Sequence, residues 1–262
     1  MPMLRGSRGS GSWTCIFKKK VIRKETEKMS TYVTSDLHGY PLEKFKAMLK
    51  RAKFSKEDTL YILGDVIDRN SDGGVDILRF IIDKPNNIKF ILGNHEDMLL
   101  SCSFLFADDY DPSEEIGPIK TIALERYKYN GEDVTLKTLK KLYEEDPNTV
   151  KDIFTYLLTA PLYAKVSCAG KKYLLVHSGL GNFSPNKKLS NYYPFDFLWE
   201  RPTLETEYYD DIITVFGHTP TLYYGKEFYG KIIRTGTWIN IDTGAARGLE
   251  PTLLRLEDEK TF

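Results

Sequence analysis

From Tyr32 onward, short runs of β-branched and aromatic residues alternate with longer stretches in which apolar residues recur at helical spacing. Tyr32-Val33-Thr34 predicts a strand that stops just before Asp36. Residues 42–53 predict a helix with Leu42, Phe45, Met48 and Leu49 on one face. Residues 59–63 predict a second strand ending at Gly64-Asp65, 75–82 a second helix, and 88–92 a third strand ending at Gly93-Asn94-His95. Three strands thus each deliver a polar motif at the carboxyl end, the edge where open α/β sheets bind ligands. Strand–helix–strand units predict a largely parallel sheet with right-handed crossovers.

The pattern then changes. Helical spacing in 98–106, 119–129, 136–143 and 150–158 predicts a four-helix insert over about 97–160, with the Tyr and Phe content read as packing. Strand character returns at 162–166 and 173–176, joined by the turn Cys168-Ala169-Gly170-Lys171. Further strands are expected at 212–216, ending at Gly217-His218, and at 228–233, 238–241 and 252–256. There are no internal repeats. Two sheets are expected, each bringing motifs to one rim.

Composition narrows the class. The chain has 262 residues, 41% of them hydrophobic and 13% aromatic, enough for one large domain with a sizeable core. No apolar run reaches the roughly 18 residues a spanning helix needs, so no membrane partner is expected. Net charge is zero but uneven: residues 1–30 carry +6, leaving −6 on the rest. Residues 1–29 are therefore expected to form a basic, disordered extension preceding a catalytic domain over 30–262. Met29 as the natural start is one reading the sequence leaves open, and a role for the extension in nucleic-acid binding is the weaker reading of its charge. Cys15, Cys102 and Cys168 form no Cys-x-x-Cys, which argues against a thiolate metal site or a disulfide framework and favours a cytoplasmic setting. Trp13 to Phe17 is too short an apolar stretch for a secretory signal.

The candidate chemistry lies in the polar motifs. The chain has four histidines, and each sits in one: His38 in Ser-Asp-Leu-His-Gly, His95 in Gly-Asn-His-Glu, His177 in Val-His-Ser-Gly, and His218 in Gly-His-Thr-Pro. Asp36 and His38, two apart in extended chain, point the same way and can reach one metal ion. Asp36, His38 and Asp65 are expected on one ion, and Asp65, Asn94, His177 and His218 on a second, with Asp65 bridging. Such nitrogen and oxygen ligation without thiolate suits Mn²⁺, the expected ion, with Fe or Zn²⁺ as alternatives, and suits Ca²⁺ poorly. His95 is kept off the metals as a general acid, with Asp68 accepting its other N–H. Arg69 and Arg201 are expected to hold the phosphate, since guanidinium pairs bidentately with phosphate oxygens. Singly, each motif also reads as a turn, a helix cap or a surface residue; all five in order at strand ends do not.

The series Ser-Asp-Leu-His-Gly, Gly-Asp-Val-Ile-Asp-Arg, Gly-Asn-His-Glu, Val-His and Gly-His-Thr resembles the calcineurin-like metallophosphoesterases, and within them the phosphoprotein phosphatases. The resemblance runs from about Tyr32 to Leu256. Leu198-Trp199-Glu200-Arg201 and Ile241-Asp242-Thr243-Gly244-Ala245 resemble the bacterial and phage members. It implies two mixed β-sheets packed as a sandwich flanked by helices, a dinuclear Mn, Fe or Zn site, and a hydroxide attacking phosphorus directly. It also implies His95 as acid and Arg69 with Arg201 on the phosphoryl group.

There are departures from the family pattern. Asn70 stands where glycine usually follows Asp-Arg, and is expected to accept positive φ. Ser178 stands where alanine is common. Leu92 stands where some phage-type members carry arginine, so one phosphate contact of those members has no counterpart. No ligand is lost. The expected activity is removal of phosphate from phosphoserine or phosphothreonine, on a protein or a small phosphate ester. The alternative is hydrolysis of a dinucleoside polyphosphate, and a phosphate-binding module without turnover is the reading from a different class. Oligomeric state is not legible.

Overall fold

In the computed structural model, which describes residues 29–83 and 87–262, the strand–helix alternation winds into two five-stranded sheets. The basic extension lies outside the described residues, apart from Met29. The first sheet has β1 (Thr31–Thr34), β2 (Thr59–Ile62) and β3 (Ile88–Phe90) in parallel register, Thr31 beside Thr59 and Leu60 beside Ile88. Helices α1 (Leu42–Arg51) and α2 (Val75–Ile82) make the crossovers. The insert follows as α3 (Asn94–Ser101), a 3₁₀ turn, α4 (Pro118–Tyr129), α5 (Asp133–Glu145) and α6 (Pro147–Leu158). The second sheet has β4 (Tyr163–Cys168), β5 (Lys171–Val176), β6 (Ile213–Phe216), β7 (Ile233–Arg234) and β8 (Trp238–Asn240) in the order β4-β5-β6-β8-β7. The five-residue helix α7 (Pro194–Leu198) lies between β5 and β6. The chain returns to the first sheet as β9 (Leu254–Arg255) and β10 (Lys260–Thr261), both antiparallel.

Alternation along the strands builds three cores. Val33, Leu63 and Ile91 from the first sheet meet Tyr173, Leu175, Val215 and Ile239 from the second, sealing the sheets together. The neighbours of these residues point the other way, as a period of two requires. Tyr32, Leu60 and Ile62 pack under the helices, while Leu174, Val176 and Phe216 pack under α7 and its flanking loops. Truncating a fully buried side chain such as Leu175 to alanine costs about 2–5 kcal/mol.

Two predicted boundaries differ for identifiable reasons. α1 ends at Arg51 rather than residue 53, because Lys53 takes a left-handed φ of 58° and the helix closes by Lys53 N–H to Lys50 and Phe54 N–H to Leu49. The strand predicted at 228–233 survives only as Ile233–Arg234, because Gly230 at φ 66° turns the chain after a short 3₁₀ segment, Lys226–Phe228.

Candidate metal and phosphate site

The loops after β1, β2, β3, β5 and β6 converge on one rim. Asp36, His38, Asp65, Asn94, His95, His177 and His218 are all at most 6% exposed there, and Asp68 is fully buried. The backbone is bent to achieve this. Asp36, His38, Asp65, Asp68, Arg69 and His218 all adopt positive φ, between 42° and 75°. Strain of this kind persists only where the surroundings over-determine it. The expected positive φ at Asn70 does not occur; it falls instead on Asp68, Arg69 and Ser71. Asn70 contributes its side-chain amide, which donates to the carbonyl of His38 at 2.9 Å. The glycine at 217 has no such freedom of choice, because a Cβ there would overlap the Asp36 carboxylate.

Each imidazole is oriented through its far nitrogen. His38 Nδ1 meets the Ile67 carbonyl at 3.0 Å, and His177 Nδ1 the Leu63 carbonyl at 2.7 Å, leaving Nε2 turned inward. His177 Nε2 lies 2.8 Å from Asn94 Oδ1 and 3.2 Å from His218 Nδ1. Asp65 sits between two donor groups. His38, Asp65 and His95 form one, and Asp65, His177 and His218 the other, with the donor atoms of each within 4.8 Å of one another. Asp36 adjoins the first group, 3.9 Å from His38 Nε2. Geometry alone therefore places His95 within reach of the first group as well, its Nε2 being 3.9 Å from Asp65.

The cluster fits cations. Burial and neighbouring carboxylates hold Asp36 and Asp65 well above the usual carboxylate range. Burial pushes His38 and His218 well down and His177 down to about 3, so the imidazoles are neutral. The Nε2 atom of His218 is buried with no hydrogen-bond partner. Neutral imidazole nitrogens facing crowded carboxylates are the donor set a divalent cation would satisfy.

His95 and Asp68 form a tight pair, Nδ1 to Oδ2 at 2.6 Å. Burial is the largest influence on both, pushing Asp68 up to about 7 and His95 down to about 3, and Arg69 lowers His95 further. Tyr127 on α4 donates to the other Asp68 oxygen at 2.8 Å, so both Asp68 oxygens are engaged, one by His95 and one by Tyr127. The insert thus reaches the rim. Thr135 on α5 also accepts the Asp68 backbone N–H at 2.9 Å.

Arg69 and Arg201 line a cavity of about 110 Å³ with His38, Asp65, Asn94 and His95. Arg201 is set by hydrogen bonds to Thr219 Oγ1 at 3.0 Å and the His218 carbonyl at 3.4 Å. Ser178 gains a function in place of alanine: its hydroxyl donates to the Phe197 carbonyl and accepts the Glu200 N–H, tying the His177 loop to the Arg201 segment. Larger grooves exist, such as one of about 320 Å³ beside β4 and β5, but it gathers none of these residues.

Two buried carboxylates in the site were not singled out by sequence reasoning. Glu96 accepts from the N–H groups of Gly93, Asp65, Val66 and Ile67, clamping the loops after β2 and β3 together. Asp242, at the end of β8, is raised to about 7 by burial and lies among Arg69, Arg201 and Arg247. Trp199 and Tyr223 also line the cavity. The sequence held one signal for these: Trp199 lies in Leu198-Trp199-Glu200-Arg201 and Asp242 in Ile241-Asp242-Thr243-Gly244-Ala245, two of the motifs that carry the sequence resemblance.

A model of the calcineurin-like phosphoesterases matches residues 29–242. The chain belongs to that family. It is 35% identical over 92 residues to the symmetrical bis(5'-nucleosyl)-tetraphosphatase of Enterobacter sp. strain 638, a match covering 35% of this chain and 32% of that one. It is 39% identical over 74 residues to the enzyme of the same name from Pectobacterium atrosepticum, covering 28% and 26%. The matches span about a third of the relatives' length or less. Among solved structures, a protein described as a candidate diadenosine tetraphosphatase superposes with a TM-score of 0.55 at 17% identity, over 90% of this chain and 93% of its own. A protein serine/threonine phosphatase from Saccharomyces cerevisiae gives 0.54 at 15% identity, over 89% and 74%. At these identities the superpositions speak for the fold alone. Among the described residues no helix is long and apolar enough to cross a membrane.

Proposed function

We propose that this phosphoesterase hydrolyses dinucleoside polyphosphates at the central anhydride bond. The observation that carries the reading is the convergence, on one cavity, of paired donor groups sharing Asp65, the His95–Asp68 pair and two arginines, with the Trp199 indole on the wall. Two divalent ions, Mn²⁺ by preference, held by Asp36, His38 and Asp65 and by Asp65, Asn94, His177 and His218, would acidify water and offset charge at phosphorus. Arg69 and Arg201 orient the phosphoryl group and stabilise its charge. To act as the acid His95 carries a proton on each ring nitrogen, Nδ1 held by Asp68, and delivers the Nε2 proton to the bridging oxygen. The water oxygen bonds to phosphorus, the bond to the bridging oxygen breaks, and the proton lost by the water replaces the one delivered. Two nucleoside diphosphates result.

The choice of substrate draws on the names of the curated relatives and on the rim. Trp199 presents an aromatic face with Phe195 stacked nearby and the Arg126 guanidinium 4.3 Å from its ring centre. A nucleobase stacks well on such a platform. A second reading, dephosphorylation of phosphoserine or phosphothreonine, is favoured by the combination of Asp68-Arg69 with Gly93-Asn94-His95-Glu96, and by the exposed Tyr193 and Phe195 beside the rim, which a peptide could cover. The test is kcat/KM of manganese-loaded protein on diadenosine tetraphosphate, phosphopeptides and an aryl phosphate in parallel. The first reading expects the highest value for diadenosine tetraphosphate, with ADP as sole product. A phosphopeptide value ten-fold higher would reverse the choice.

A further inference from the structure

Two arginines suffice to hold one phosphoryl group, yet the cavity is lined by a third, Arg247. It ends the short 3₁₀ turn Ala245–Arg247, bounded by Gly244 at φ 98° and Gly248 at φ 81°. This turn is fastened to the rim from two sides. Asp242 accepts the Gly244 N–H at 3.0 Å. The Asn70 amide, which already donates to the His38 carbonyl, also reaches the Ala245 carbonyl at 3.4 Å. The residue after Arg69 therefore links the loop of the first arginine to the turn of the third, something glycine at that position could not do.

The Arg247 side chain is itself directed. Its guanidinium carbon lies 5.1 Å from the centre of the Tyr223 ring, and Nη2 donates to the Tyr223 hydroxyl. A guanidinium held at a phenol through one N–H keeps its remaining N–H donors free for an anion. That hydrogen bond goes to a phenol rather than a carboxylate, and the side chain stays exposed at the mouth.

We infer that Arg247 is a specificity-determining residue that binds the phosphate next to the one attacked. A phosphomonoester has no such neighbour; an oligophosphate chain does. Arg247 thereby selects P–O–P chains over monoesters. The inference rests on reading the cavity as a phosphoryl site, and it is independent of whether nucleosides cap the chain.

Calorimetry on manganese-loaded protein tests it without turnover, with inorganic phosphate and imidodiphosphate, whose P–N–P bridge stands in for the anhydride, as probes. Wild type is expected to prefer imidodiphosphate. In Arg247→Ala that preference should shrink by about 10–100-fold, the range of one lost charge-assisted hydrogen bond, and Arg247→Lys should fall between, keeping charge but losing the fork. Wild type without a preference overturns the inference. So does an equal loss for both probes in Arg247→Ala, which would put Arg247 on the attacked phosphate, or no loss for either. Failure to cleave diadenosine tetraphosphate would remove the dinucleoside reading and leave this test standing.

Discussion

His95 has one nitrogen committed and one available. Nδ1 is locked to Asp68, so only Nε2, facing Asp65 and the cavity, can hand a proton to a departing oxygen. His95→Asn should lower kcat by about 10²–10⁴ on alkyl phosphates and less on aryl phosphates, whose leaving groups need less protonation. Metal content should be unchanged. Equal losses on both substrates would remove the acid assignment and would fit instead a histidine that ligates with His38 and Asp65. At this scale the sequence was informative where a residue's role is local. Nine of the ten candidate residues stand in motifs that follow strands, Arg201 following α7 instead, and the structure brings all ten to one rim. Glu96 was not legible, because its role is to accept N–H groups some 30 residues away. Its place in the first turn of α3 suggested only a favourable helix-end charge.

Among the elements, the insert is more than a cover. Tyr127 is fully buried, and its hydroxyl holds the Asp68 oxygen not used by His95. Tyr127→Phe deletes that one hydroxyl, and losing a hydrogen bond to a charged group costs about 1.5–3 kcal/mol. If the tyrosine positions the acid, kcat should fall by roughly 3–10-fold with KM and metal content steady, a share of that energy reaching the transition state. A rise in KM alone would assign α4 to substrate contact instead. The strand–helix alternation of β1 to β3 was legible because buried parallel strands carry strong apolar runs. Of the two-residue strands, β9 lies within the expected 252–256 and β7 begins at the end of the expected 228–233, whereas β10 carries no such run and was not expected. Their pairing depends on partners more than 20 residues away or on a tight turn, as with Arg255 beside Tyr32 and Lys260 beside Arg255. α7, at five residues, is too short for periodicity to show, although Pro194 at its first turn and Asp196 accepting the Tyr193 N–H mark its start.

At the scale of the whole molecule, the two sheets supply different donors. Asp36, His38, Asp65 and Asn94 follow strands of the first sheet, and His177 and His218 follow strands of the second. Bound cations would therefore tie the sheets together at the rim, above the apolar contacts of Val33, Leu63 and Leu175. Without them, the rim holds Asp36, Asp65, Glu96 and Asp242 all shifted upward by burial, Glu96 and Asp242 to about 7. The folded metal-free protein then keeps protons that the unfolded chain has lost, so its stability falls as pH rises through about 7. The histidines act in the other direction only below their unfolded value of 6.5, where the unfolded chain gains protons that buried His177 cannot. Chelated protein should thus lose thermal stability between pH 6.5 and about 8, whereas metal-loaded protein, with those protons displaced, should not. Adding Mn²⁺ at 100 times its dissociation constant should restore about 2.7 kcal/mol per independent site. Asp65→Asn should abolish most of this response, because Asp65 is the carboxylate common to both donor groups. Differential scanning calorimetry across pH, with and without chelator, measures it. An unfolding temperature indifferent to both chelator and Mn²⁺ would mean that the rim holds its carboxylates apart without a cation, and the metal assignment would fall with it.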